Sequence, residues 1–139
     1  MTRIIAAFDS FKGSLTSREA GEAFSCGFLE VHPDAEVVIL PIADGGEGMA
    51  EAISEGVGGE MVTAVVSDPL GRQIEARYAI VNDGYTAVVA MSAASGLTIL
   101  RPEERNPLIT STYGTGELLL DAARRGCKEI VVGLGGSAT

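Results

Sequence analysis

Residues 128–139 read Lys-Glu-Ile-Val-Val-Gly-Leu-Gly-Gly-Ser-Ala-Thr. An apolar strand, Ile130 to Val132, runs into a glycine-rich turn. Ser137 and Thr139 stand where the cap of a following helix belongs. A strand, a glycine turn and a helix N-terminus together form an anion site, because free backbone N–H groups converge there. The sequence stops before that helix, so the expectation is an N-terminal piece of a longer protein.

The same strand-then-loop grammar recurs upstream. Ile4 to Phe8 is a short apolar run followed by Asp9-Ser10-Phe11-Lys12-Gly13-Ser14. Thr16 and Glu19 then have capping-box spacing, with Leu15 and Ala20 as a weak staple. Ala20, Ala23, Phe24, Gly27, Phe28 and Val31 recur at helical period, and Pro33 ends that helix near His32. Val37 to Ile42 is a second buried strand, broken by Asp44-Gly45-Gly46-Glu47-Gly48, and Met49 to Glu55 reads as a short helix. This βαβα start makes a parallel sheet the default.

The pattern then changes. Met61 to Val66 is a strand, Asp68-Pro69-Leu70-Gly71 a turn, and Ile74, Ala76, Tyr78 and Ile80 alternate with more polar neighbours. Asp83-Gly84 is a two-residue hairpin signal, and Tyr85 to Met91 returns. Residues 92–111 are loop-rich. Thr112 to Arg125 restores helical period, with Glu117 near its start, Arg124 and Arg125 near its end, and Gly126 as the residue after it. The expected fold is α/β, a parallel Rossmann-like sheet with an inserted antiparallel β module. The expected segments are 1–58 for the first part of the α/β domain, 59–111 for the β-rich module and loops, and 112–139 for helix, strand and glycine turn.

Composition narrows the function classes. The chain has 139 residues, 46% of them hydrophobic, and 18 glycines. That suffices for one domain with a core and argues against general disorder. A net charge of −9 argues against nucleic acid and against anionic membrane surfaces. Cys26 and Cys127 have no metal-binding spacing, and two unpaired thiols fit a reducing, cytoplasmic compartment. No apolar run reaches the length of a membrane span or a signal peptide. His32, beside a helix exit, reads as a dipole partner rather than a catalyst.

Three polar clusters follow apolar strands: Asp9-Ser10-Phe11-Lys12, Asp44 to Gly48, and Gly133 to Ser137. At the carboxyl edge of a parallel sheet they would stand where α/β proteins bind ligands. None matches Walker A, and none matches GxGxxG with an acid about 20 residues on, which speaks against a nicotinamide-binding domain. Phosphoryl transfer asks for positioned phosphates, offset charge and Mg²⁺. Gly135, Gly136 and Ser137 supply N–H groups, and Lys12 a point charge. Asp9 or Asp44 supplies a metal ligand or proton acceptor, and Arg105 a fork for a carboxylate. Each has a plain structural role available too: Asp44 as a cap, Lys12 and Arg105 as solvated loop residues, Gly45 and Gly46 as positive-φ positions, and Glu47 as a dipole partner. Ser95 and Ser111 have no histidine base, and Asp68 opens a turn.

On these residues the chain resembles the glycerate kinase family of the bacterial glycerate 2-kinase type. The resemblance rests on six segments in order: Phe-Asp-Ser-Phe-Lys-Gly-Ser-Leu at 8–15, Leu-Pro-Ile-Ala-Asp-Gly-Gly-Glu-Gly at 40–48, Met-Ser-Ala-Ala-Ser-Gly-Leu at 91–97, Arg-Asn-Pro-Leu at 105–108, Tyr-Gly-Thr-Gly-Glu-Leu at 113–118 and Gly-Leu-Gly-Gly-Ser-Ala-Thr at 133–139. It implies an ATP- and Mg²⁺-dependent enzyme phosphorylating D-glycerate to 2-phosphoglycerate, with two α/β domains and the active site between them. It also implies a chain truncated to about the first third. Mapped onto the residues above, Lys12 and Asp44 are the expected catalytic pair, with Asp44 on the metal. Asp9, Ser10, Arg105 and Asn106 are expected at substrate, and Gly45, Gly46, Gly135, Gly136, Ser137 and Thr139 at nucleotide. Two positions depart from the family's habit: Phe8 where proline is common, and Ala90 where glutamate is common. The competing expectation is a non-catalytic fragment acting as a binding or assembly module, whose open sheet edges predict self-association.

Overall fold

The computed structural model describes residues 2–139. Two compact units divide the chain, one ending at Ala43 and the other running Asp44–Thr139.

The first unit is a βαβ motif. Strand β1 (Arg3–Ala6) pairs in parallel with β2 (Glu36–Ile39), Ile4 opposite Val37 and Ala6 opposite Ile39. The ladder continues beyond both strands, with Leu40 N–H donating to Ala6 O at 2.9 Å and Ile42 N–H to Phe8 O at 3.1 Å. Helix α1 (Ser17–Val31) starts as its sequence predicts: the Thr16 hydroxyl accepts from Glu19 N–H, and the Glu19 carboxylate returns to the Thr16 amide. His32 closes it, donating its amide to Phe28 O while its ring packs 4.8 Å from that of Phe28. Gly21 lets α1 lie on β2, since a Cβ there would come 2.5 Å from Cγ2 of Ile39.

The second unit is built on a mixed sheet in the order β3-β4-β5-β6. Strands β3 (Glu60–Ser67), β4 (Gln73–Val81) and β5 (Thr86–Ala90) form the antiparallel meander that the sequence predicts. The β4–β5 turn has positive φ at both Asp83 (53°) and Gly84 (86°), with Tyr85 N–H closing on Asn82 O at 3.0 Å. That is the mirror-image turn matching strand twist. Strand β6 (Glu129–Gly133) lies parallel to β5, Thr86 opposite Glu129 and Ala90 opposite Gly133. The fold is therefore α/β with a parallel pair and a mixed sheet, and the strand of the last glycine turn joins the antiparallel meander rather than β1 and β2.

Helices cover both faces of that sheet. On one face Leu118 and Ala122 of α4 (Tyr113–Arg124) pack with Val62, Val66, Ala76, Tyr78, Ile80, Ala87 and Val89. On the other, Ala50 of α2 (Met49–Val57) packs with Ala79, Val81 and Val88. This packing puts α2 in the second unit, which begins at Asp44. Gly126, with φ of 100°, ends α4 as expected. Glu117 departs from its expected role, because its carboxylate reaches back to accept from Ser67 N–H at 2.6 Å. Residues 92–111 are more regular than their composition suggests, holding α3 (Ser92–Ser95) and two 3₁₀ turns, Leu97–Ile99 and Pro102–Glu104. Cys127 is buried and Cys26 is exposed.

Candidate functional site

In the first unit, the loop after β1 carries Asp9, Ser10 and Lys12. Asp9 folds onto its neighbour, accepting from Ser10 N–H at 2.7 Å. Phe11 N–H donates to Leu15 O at 2.9 Å, and Gly13 turns the chain at φ of 76°. Lys12 sits exposed in that turn. The loop's exit is fixed from α1, where the buried Ser17 hydroxyl donates to Ile42 O at 2.9 Å.

The other two clusters meet inside the second unit. Gly135 N–H donates to Gly45 O at 2.9 Å. A Cβ on Gly135 would stand 2.8 Å from the Gly46 nitrogen, and one on Gly133 would run into Gly45 O and the Met49 sulfur. Gly133 and Gly135 are therefore explained first by packing on the 45–46 backbone, and Gly45 by its φ of 93°. Gly136, exposed at φ of 74°, belongs to the outer part of the turn. Beside it the Ser137 and Thr139 hydroxyls lie 2.8 Å apart, and Ser137 Oγ accepts from Thr139 N–H at 3.1 Å.

Asp44 is exposed and accepts from Gly46 N–H at 3.1 Å. It does not cap α2, whose N-cap is Gly48 in the left-handed region without a side-chain bond. Glu47 lies outside the helix and accepts from the Thr98 hydroxyl. Among the described residues no group of three or more His, Cys, Asp or Glu side chains is arranged to hold a metal. One exposed carboxylate is compatible only with an ion that keeps several waters and needs few protein ligands, as Mg²⁺ does.

The segment 91–98 emerges as the wall of the glycine turn, which the sequence reading did not foresee. Met91 N–H donates to Gly133 O at 2.8 Å, Leu97 N–H to Gly136 O at 2.9 Å and Ala138 N–H to Ser95 O at 2.9 Å. Gly96 was the available signal, because a Cβ there would meet the Ser92 carbonyl. Ser95 is fully buried against Thr115, their hydroxyls 2.8 Å apart, and so serves packing. Ala90 lines a groove of about 280 Å³ with Glu47, Glu51, Glu75, Arg77 and Ser92.

Arg105 is exposed, with Nε donating to Leu100 O at 3.3 Å. Asn106 shapes the next turn, its Oδ1 accepting from Leu108 N–H at 3.1 Å. Nearby, Asp68 does more than open a turn. Its buried carboxylate accepts from the amides of Leu70 and Arg72, both at 2.8 Å, and from Arg72 Nε at 2.5 Å. Burial works to raise its pKa, and the bonds to Arg72 and Leu70 outweigh burial and hold it below the usual range. Glu104 is held down to about 2, first by the Arg101 side chain, then by the Arg101 amide and by Arg72.

The sequence model of the glycerate kinase family matches residues 4–139. The chain is 47% identical over 139 residues to a glycerate kinase of Halalkalibacterium halodurans, covering all of this chain and 37% of that protein. It is 46% identical to the glycerate 2-kinase of Escherichia coli K12, covering 99% of this chain and 36% of the relative. A solved structure from Salmonella typhimurium LT2, assigned as glycerate kinase 2, superposes with a TM-score of 0.75 at 43% identity, covering 98% of this chain and 36% of that one. The chain thus spans little more than a third of the length of the relatives it matches.

Proposed function

The chain belongs to the glycerate kinase family, and on that premise we propose that its residues serve an ATP-dependent phosphorylation of D-glycerate to 2-phosphoglycerate. The observation that carries this reading is the meeting of the Asp44–Gly48 loop with the Gly133–Ser137 turn, which brings a carboxylate-bearing loop against a glycine turn with an exposed outer edge. Gly136 and the hydroxyls of Ser137 and Thr139 offer the phosphate-binding edge, while Gly45, Gly46 and Gly135, with the Gly135 N–H on Gly45 O and the Gly46 N–H on Asp44, shape the backbone behind it. Lys12 and Arg105 neutralise anionic oxygens, and Asp9, Ser10 and Asn106 orient the hydroxy acid. Asp44 would either hold Mg²⁺ or accept the proton of the attacking hydroxyl, whose oxygen bonds to the γ-phosphorus as the bond to the leaving ADP oxygen breaks. Mg²⁺, when bound, offsets the charge on the phosphate oxygens.

A chimera tests this: these 139 residues replacing the matching segment of the Escherichia coli relative. The reading predicts ATP-dependent phosphorylation of D-glycerate, with Lys12→Met and Asp44→Asn each lowering kcat/KM at least about a hundredfold. Undiminished turnover in both variants contradicts it. The substrate is a small molecule, and the reading places the protein in the cytoplasm. Among the described residues no helix is long and apolar enough to cross a membrane.

A second reading, an assembly module, draws on apolar side chains exposed along strands: Ile5 in β1, and Val131 and Val132 in the edge strand β6. It predicts concentration-dependent self-association of the isolated chain, and a monomer at all concentrations by light scattering contradicts it.

A further inference from the structure

The loop that carries Arg105 and Asn106 is tied down at both ends by groups the reaction does not use. At its start, Glu104 Oε1 accepts from Arg72 Nη1 at 2.8 Å and from Arg101 Nη2 at 3.0 Å, while Glu104 Oε2 accepts from the Arg101 amide at 3.0 Å. Arg72 is in turn anchored on the buried Asp68. At its end, the Thr110 hydroxyl donates to Ala138 O at 2.9 Å, and Ser111 N–H donates to Pro69 O at 2.9 Å. One turn, Asp68–Arg72, thus holds both ends of the loop, and Thr110 joins the loop to the glycine turn. Between the anchors Leu108 is 91% exposed, so packing does not fix the tip.

We propose that Thr110 and the Asp68–Arg72–Glu104 chain are positioning residues, which hold the Arg105–Asn106 loop in register with the Gly133–Ala138 turn for recognition of an anionic hydroxy acid. This rests on the function proposed above for Arg105. An exposed loop loses conformational entropy when it closes on a ligand, and a loop already tied at both ends loses less. The anchors therefore act on affinity for the acid rather than on chemistry.

The test uses the chimera described above, carrying Thr110→Val, Thr110→Ser or Arg72→Met. Hydrogen exchange in residues 105–111 is expected to quicken about three- to tenfold in Thr110→Val, the effect of one lost hydrogen bond, and at least as much in Arg72→Met, which loses its bonds to both Asp68 and Glu104. Exchange in α4 stays unchanged. Calorimetric titration with D-glycerate is expected to show affinity reduced by a similar factor, with Thr110→Ser restoring both readouts because it keeps the hydroxyl. Unchanged loop exchange in both variants overturns the proposal. So does quickened exchange with D-glycerate affinity at the parental value. Absence of any D-glycerate binding by the parent chimera overturns the reading of Arg105, whereas unchanged loop exchange with parental binding overturns the anchoring alone.

Discussion

The two units handle similar apolar strands very differently. In the unit from Asp44 onward, α4 and α2 cover opposite faces of the mixed sheet, and Tyr78, Val88, Val89 and Leu118 are almost wholly buried. In the first unit, α1 buries little beyond Ser17, Ala20 and Gly21, and Ile5 in the middle of β1 is 64% exposed. Parallel strands read as continuous apolar runs because such sheets are ordinarily covered on both faces. The run Ile-Ile-Ala-Ala-Phe at 4–8 announces that covering, and the unit itself provides half of it. Stability is therefore concentrated in one unit, while Lys12, the expected charge donor, stands on the less buried scaffold of the other.

The largest expected contrast is between Leu118→Ala and Ile5→Ala. Leu118 has 0% exposure, so its truncation is expected to cost about 2–5 kcal/mol in urea unfolding. Ile5→Ala, exposed for most of its surface, is expected to cost well under about 1 kcal/mol. Equal losses would erase the distinction between the units. Next comes Asp68→Asn, which weakens the anchor of Arg72 and is expected to cost about 1–3 kcal/mol. Within α1 the comparison sharpens to two glycines. Gly21→Ala drives a methyl into Ile39 and is expected to destabilise by about 1–2 kcal/mol, whereas Gly27 has open space and its replacement by Ala is expected to stabilise by about 0.5–1 kcal/mol. Thermal unfolding of the two variants checks the opposite signs.

The smallest effect is one of pH. Glu104 has a folded pKa of about 2 against 4.5 for the free group. A depressed carboxyl stabilises the fold above its unfolded value, and that stability is lost as pH falls from 4.5 toward 2. Glu104→Gln is expected to flatten the pH dependence in that window. A profile that keeps its slope would show that other carboxyls dominate acid unfolding.

How much of this was legible depends on distance along the chain. The capping box at Thr16 and Glu19, the turn at Asp83-Gly84 and the stop at Gly126 are local, and each formed as its spacing predicts. The partner of β6 is a matter of pairing 43 residues away, Thr86 with Glu129, and periodicity carries no address for that. Gly133 and Gly135 are expected at a strand-end turn, but a glycine does not name what approaches it, and here the neighbour is the 45–46 backbone. Thr110 and Arg72 were invisible because a lone hydroxyl or guanidinium in a loop has no sequence pattern until the loop is folded.

The most direct test is the initial rate of D-glycerate phosphorylation in the chimera as MgATP is varied, with Gly135→Ala set against its parent. A methyl at that position meets the Gly46 backbone and displaces the glycine turn. The account predicts a rise of at least about tenfold in the KM for ATP, with a much smaller change in the KM for D-glycerate, in a variant that folds with a lowered Tm. An unchanged KM for ATP in a folded variant would contradict the claim that the paired glycine turns hold the phosphates.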